Sequence, residues 1–317
     1  MKIIENNLIE HLNEIDLFIC SSGFESRSKK VALSLSQSLV AKAIVFHMSD
    51  TYRISNEHLS LIEEHFNDIE KIIYPKNAPL DTFDIFYSTL KNVSLLNNKA
   101  KLKTVIDIST FTREILLILI KVLSLPTFAN FDVKIIYTPN KSYANNSKNA
   151  WMTRGVRDIR SIVGYSGLLS PSKKTVLIIL AGFEEERTEN IIDSFEPYHI
   201  ILGKPSKSDS ITNELSEIAD NKYNFIKKKY EHLIVEEFEF SCISYENTFK
   251  SLDKIIKKFA GFNLIVSPLN NKISTVGVAM SALKNEELQV CYASANQYNI
   301  DAENIECDYF MLFDLNF

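Results

Sequence analysis

The sequence predicts an α/β protein made of two duplicated, doubly wound parallel-sheet domains that associate as a pseudo-dimer. Three observations carry that prediction. Cys20-Ser21-Ser22-Gly23-Phe24-Glu25-Ser26-Arg27 follows the apolar run 16–19, and Leu180-Ala181-Gly182-Phe183-Glu184-Glu185-Glu186-Arg187 follows the apolar run 175–179. A strand pattern thus leads twice into Gly-Phe-Glu and a polar helix opening with an arginine. The downstream spacing repeats too: Asp107 lies 84 positions after Gly23, and Ser267 lies 85 after Gly182, each closing a short apolar run. Third, Ile135-Ile136-Tyr137 with Tyr143 six on matches Val290-Cys291-Tyr292 with Tyr298 six on. Such self-similarity decides the architecture, because each copy must be built as a similar unit.

Each element follows from its pattern. After Gly-Phe-Glu, 29–39 reads as a helix, 43–48 as a strand with Ile44 and Val45, 56–66 as a polar helix and 71–74 as a strand. Then come a helix at 82–90, a strand at 104–108, a helix at 113–125 and a strand at 133–138. The apolar stretch 115–125, interrupted by Lys121, reads as a buried core helix. The second half repeats the scheme, with strands at 175–180, 198–202, 232–238, 263–267 and 288–293 separated by helices at 185–195, 211–228, 244–259 and 273–284. Strict alternation of this kind builds a parallel sheet by βαβ crossovers with helices on both faces, a Rossmann-like arrangement. The expected domains are 1–145 and 172–317, joined by a docking segment at 146–171. In that segment Arg154, Arg157 and Arg160 are spaced three apart, as on one face of a helix that docks the halves or meets an anion.

Composition narrows the function classes. The 317 residues are 45% hydrophobic and 24% charged, an ordinary globular balance. A net charge of −5 argues against non-specific duplex DNA binding, which needs a basic footprint. The runs 227–229 and 254–258 read as solvated helix faces. Cys20, Cys242, Cys291 and Cys307 have no CxxC spacing, so neither a metal site nor a disulfide framework is indicated, and a cytoplasmic, reducing compartment is expected. No apolar run is long enough to span a bilayer, so no membrane partner is expected.

Chemistry is expected at the carboxyl ends of the strands. In a doubly wound sheet of order 3-2-1-4-5, ligands bind between the first and fourth strands, where strand order reverses. The unusual segments of both halves fall there: Ser21, Ser22, Gly23, Phe24, Glu25 and Arg27 with Asp107, Ser109, Thr110, Arg113 and Glu114 in the first, and Gly182, Phe183 and Glu184 with Ser267, Asn270, Asn271 and Lys272 in the second. Glycine permits close backbone approach, Ser and Thr cap the following helix, and the free amides there attract anions. Arg27, Arg113 and Lys272 can pair with phosphate. The acids Glu25, Asp107, Glu114 and Glu184 suit ribose hydroxyls, a base edge or a partner arginine. One alternative pairs Glu25 with Arg27 and gives Asp107 to its helix cap.

Neither GxGxxG nor GxxxxGK[ST] is present, so no dinucleotide or P-loop site and no cofactor is indicated. A Ser-His-Asp triad is not indicated either. His47, at the end of the second strand, comes nearest to a strand-end motif, and all six histidines are assigned structural or solvent roles. Tyr143 and Tyr298 are candidates for stacking on a base.

The fourth-strand motifs Asp-Ile-Ser-Thr and Ser-Pro-Leu-Asn-Asn-Lys, each followed by an apolar helix, resemble those of CRISPR-associated Rossmann-fold (CARF) sensor domains. In that family the turn is Asp-x-Thr-Gly-Gly-Thr-Lys-like, and its glycines are missing here. The resemblance implies a nucleotide or short-oligonucleotide ligand bound by paired domains, contacted by Ser109, Thr110, Arg113, Asn270, Asn271 and Lys272 and by Ser21, Ser22 and Gly23. It implies a sensing module of bacterial defence or stress signalling, acting beside a separate effector protein. A second likeness, to nucleoside deoxyribosyltransferases and TIR-type NAD hydrolases, implies an enzyme in which Glu25 or Glu114 attacks or stabilises an anomeric carbon while Asp107 holds the sugar. A scaffold subunit without a ligand is the third reading.

Overall fold

Runs such as Ile15–Ser22 and Asn263–Pro268 are buried at every position, as strands covered by helices on both faces must be. The computed structural model describes residues 1–4, 8–49, 52–97, 99–143, 151–300 and 304–317. It divides into two units, Met1–Asn140 with Asn304–Phe317, and Lys141–Glu303.

The first unit runs β1 (Lys2–Ile4), α1 (Leu8–His11), β2 (Ile15–Ser22), α2 (Lys30–Ser34), β3 (Val40–Met48), α3 (Arg53–His65), β4 (Ile69–Tyr74), α4 (Pro79–Leu96), β5 (Leu102–Asp107), α5 (Arg113–Leu123) and β6 (Phe131–Tyr137). After the short β7 (Asn140–Ser142), the second unit follows with β8 (Thr153–Ser161), β9 (Thr175–Leu180), α6 (Glu185–Phe195), β10 (His199–Pro205), α7 (Asn213–Lys229), β11 (Ile234–Phe240), α8 (Tyr245–Lys258), β12 (Asn263–Pro268), α9 (Lys272–Lys284) and β13 (Gln289–Tyr298). The chain ends with β14 (Ile305–Glu306) and β15 (Tyr309–Leu315).

The sheet orders are β1-β15-β6-β5-β2-β3-β4 and β11-β10-β9-β12-β13-β8. Read within each unit, five parallel strands take the order 3-2-1-4-5, and a sixth strand adds antiparallel beside the fifth. Both units are therefore doubly wound and Rossmann-like. Phe18, Val45, Val105 and Ile136 of the first sheet pack with Phe310 and Leu312 of β15 in one core. Leu177, Ile179, Leu202 and Ile265 form the other with Ile191 and Tyr223 from the covering helices. Helix α5 is buried along almost its whole length and packs on α4, which agrees with its reading as a core helix. No helix among the described residues is long and apolar enough to cross a membrane.

The sixth strands are exchanged. In the chain β8 follows β6, but it pairs with β13; β15 follows β13, but it pairs with β6. Three expectations are corrected. The boundaries 1–145 and 172–317 give way, because 304–317 completes the first unit and 151–161 belongs to the second. The docking segment is not a helix: Thr153–Ser161 is a strand, with Arg154 over the Trp151 ring and Arg160 paired to Asp158, so its arginines line no helical face. Residues 146–150 of that segment lie outside the described residues. Helix 29–39 is cut to Lys30–Ser34 and a single 3-10 turn.

Pairing with the sixth strand covers the backbone edge of β6, whose Val133, Ile135 and Tyr137 are buried. A bare edge of this kind invites aggregation. A chain ending at residue 140 is expected to aggregate, whereas the same chain with 304–317 fused behind it should be soluble and folded, as read by size-exclusion chromatography and circular dichroism. Soluble, folded 1–140 would contradict this account of the exchange.

Candidate functional site

The loops after strands one and four of the first unit come together as the strand order requires. Thr110 Oγ1 donates to the Ser21 carbonyl at 2.8 Å, and a Cβ placed on Gly23 would lie 3.1 Å from the Thr110 Cβ. Thr112 caps α5, accepting from the Ile115 amide at 3.3 Å. Arg113 is half-buried at the first helical position, and Glu114 is buried in the same turn, where a carboxylate suits the helix dipole. Phe24 meets Tyr52 edge-on at 5.6 Å.

The Gly-Phe-Glu motif serves an internal clamp in both units. Arg27 donates from Nε and Nη2 to both carboxylate oxygens of Glu25, at 3.0 Å each, and from Nη1 to the Thr138 carbonyl at 2.9 Å. Its guanidinium lies 5.8 Å from the centre of the Tyr137 ring. Arg187 repeats this, donating to Glu184 at 2.7 Å and to the Ala293 carbonyl, with its guanidinium 4.8 Å from the Tyr292 ring. Thr138 and Ala293 each follow the matched tyrosine of the fifth strand. The clamp thus ties the loop after strand one to strand five. Asn140 and Asn304 also donate to Glu25, and Thr153 to Glu184.

Several expected site residues are therefore corrected. Arg27 is only 4% exposed and spends its donors on Glu25 and Thr138, so it is not placed to hold a phosphate. Glu25 and Glu184 are held as the acceptors of buried arginines rather than presented to a sugar. Asp107 does not cap α5. It is buried and accepts from the Ser109 amide at 2.9 Å and from the Ser109 hydroxyl, while Ser109 Oγ accepts from the Thr138 amide at 2.8 Å. Burial raises the Asp107 carboxyl from 3.8 to about 6, against the opposing effects of Ser109 and Arg27.

The second unit closes the equivalent crevice with its own backbone. A Cβ on Gly182 would sit 1.8 Å from the Leu269 carbonyl oxygen, so only glycine permits this approach. Asn270 donates to the Ala181 carbonyl at 2.7 Å and accepts from the Asn271 amide at 2.8 Å. Asn271 caps α9 through the Ser274 amide at 2.9 Å and donates to the Cys242 carbonyl at 2.7 Å. Ser267 is fully buried, and Lys272 is half-buried at the first position of α9. The strand-to-cap turn is one residue longer in the first unit, 107 to 112 against 267 to 271. The expected ligand roles of Asn270 and Asn271 are corrected, since both side chains stitch this turn to strand one and to Cys242.

Tyr143 packs on Phe183 at 5.4 Å. Tyr298 is not beyond the strand: it ends β13, and its phenol lies beside Tyr292, Arg187 and Glu184, where burial raises it well above its ordinary value. All four cysteines are free and buried, and no group of three or more metal-ligating side chains occurs among the described residues.

Two histidines missed by motif reasoning stand at the first crevice. His47 Nδ1 lies 2.6 Å from Ser22 Oγ. His58 Nδ1 lies 2.8 Å from the Gly23 carbonyl and 3.1 Å from Ser28 Oγ. Burial lowers both imidazoles from their ordinary value, His47 with help from Lys71. The one signal for His47 was its place at the end of the second strand, beside the first.

No family model matches the chain, and no curated protein does. Among solved structures it is similar to the E. coli ADP-heptose LPS heptosyltransferase II, at 11% identity over 87% of this chain and 89% of that one, with a TM-score of 0.22. Overlap that low carries nothing over to this protein.

Removing one member of a buried ion pair strands its partner and costs roughly 3–5 kcal/mol. Arg27→Ala and Arg187→Ala should each lower unfolding free energy by about that amount in denaturant titrations, and Lys should not restore it because the fork geometry is lost. An unchanged stability for Arg27→Ala would return that residue to the ligand. Asp107 gives a second test. Its folded carboxyl binds a proton before the unfolded one does, so its contribution to stability grows as pH falls from about 6 to 3.8 and is absent from the pH dependence above that window. Wild type minus Asp107→Asn should show this difference, roughly 3 kcal/mol in full. A flat difference would show that burial does not perturb the group.

Proposed function

We propose that the protein is a nucleotide- or short-oligonucleotide-binding module of a defence or stress-signalling system, taking its ligand at the strand ends of the first unit and acting beside a separate effector protein. The observation that carries this reading is the asymmetry of the two switch points. A Cβ on Gly23 would meet the Thr110 side chain, 3.1 Å from its Cβ, whereas one on Gly182 would sit 1.8 Å from the Leu269 carbonyl oxygen. Ser21, Gly23, Phe24, Thr110 and Arg113 frame the first crevice, at the place where doubly wound sheets take ligands. The resemblance of the fourth-strand turn to CARF sensor domains supports the choice of ligand.

The internal clamps favour binding over sugar chemistry by Glu25. A carboxylate chelated by a buried arginine is a poor nucleophile, and Asp107 is engaged by Ser109. The pseudo-dimer belongs to the same proposal. Reciprocal exchange of sixth strands between two like units is what fusing a strand-swapped homodimer into one chain leaves behind.

Mononucleotides, NAD, and linear and cyclic oligoadenylates should be titrated while thermal unfolding is followed. A ligand at a hundredfold excess over its Kd stabilises by roughly 2.7 kcal/mol. One of these ligands is expected to raise the Tm of the wild type, and Gly23→Val, which fills the space against Thr110, should remove the shift. If none raises the Tm, the scaffold reading stands instead.

A further inference from the structure

We propose that Ser22 is a nucleophile activated by His47, and that the first unit hydrolyses an ester or thioester of a small acyl group. Ser22 Oγ lies 2.6 Å from His47 Nδ1, within the reach required of a nucleophile and its base. Ser22 ends β2 and His47 is its register partner on β3, so two central strands rather than loops hold the pair. Asn56, in the first turn of α3, stands beside the same imidazole and favours its protonated form. In the neutral tautomer that carries its proton on Nε2, Nδ1 accepts from the Ser22 hydroxyl. Burial keeps the ring neutral, so the base is free to take a proton.

The second unit shows that the fold does not need this pair. Aligned on Gly-Phe-Glu, Ser22 corresponds to Ala181, and the parallel registers place Lys204 where His47 stands. The same strand ends and the same arginine clamp form there without hydroxyl or imidazole. A serine and a histidine buried together, 6% and 5% exposed, thus occupy these two positions in the first unit alone.

The depth of Ser22 selects the chemistry. A planar carbonyl is attacked from one face, whereas displacement at phosphorus needs room in line on both sides. Ser22 Oγ attacks the carbonyl carbon and its proton passes to His47. The bond from that carbon to the leaving oxygen or sulfur breaks, and His47 returns the proton to the leaving group. Water then attacks the acyl-serine ester, giving its proton through His47 to Ser22 and releasing the carboxylic acid. No other reactant is required. The inference is independent of the nucleotide reading, which the thermal shifts test separately.

The test uses the full chain with p-nitrophenyl acetate. The wild type should release a stoichiometric burst of p-nitrophenol and carry one acetyl group on Ser22 by peptide mass mapping. His47→Gln should slow this by about a hundredfold or more, and Ser22→Ala should abolish it. Ser22→Ala copies Ala181 of the second unit, so it should keep the wild-type Tm while taking no acetyl group at position 22, which separates loss of the nucleophile from loss of the fold. A wild-type chain left unacetylated at Ser22, or His47→Gln acetylated at the wild-type rate, overturns the proposal.

Discussion

Each unit depends on an arginine that has left water. Stripping a guanidinium of solvent costs several kcal/mol unless its donors are matched, and in both sheets the match is the same: a glutamate two or three residues earlier, the carbonyl that follows the fifth-strand tyrosine, and that tyrosine's face. Glu25 and Arg27 arrive from the loop after strand one, and Thr138 from a point 111 positions away. The clamp therefore fixes the separation of the first and fifth strands across the fourth. It also explains why a charged motif recurs at the crevice of both halves while most of its charge is unavailable to a ligand.

Around that common frame the two switch points diverge. One extra residue in the first unit lets Thr110 rather than main chain meet the glycine of strand one, and the polar groups beneath it are a serine, two histidines and a buried carboxyl. In the second unit two asparagines and the Leu269 carbonyl fill the same place, and every side-chain amide there is committed to the backbone. Topology is shared, and chemistry is confined to one copy.

Most of the sheet was legible from sequence. Strands such as β2, β9 and β12 are continuous apolar runs, and the alternation with helices leaves little choice of class. The order 3-2-1-4-5 followed once that class was assumed. The strand β8 was not legible: it is a charged edge strand, Thr-Arg-Gly-Val-Arg-Asp-Ile-Arg-Ser, and its arginines three apart imitate a helix face. At the site, the pairing of Glu25 with Arg27 was foreseeable from their closeness in sequence. The pairing of Ser22 with His47 was not, because it joins residues 25 apart through strand register alone.

By itself the sequence determined what is local or periodic: most strands and helices, the repeat of Gly-Phe-Glu and the absence of a long apolar span. Only the tertiary structure decided which partner each polar group takes. It exchanged the sixth strands, turned Arg27 inward and set an imidazole on Ser22. The physical reason is that hydrogen bonds and ion pairs depend on distances of about 3 Å, which register and burial set between residues remote in the chain, whereas backbone propensity depends only on near neighbours.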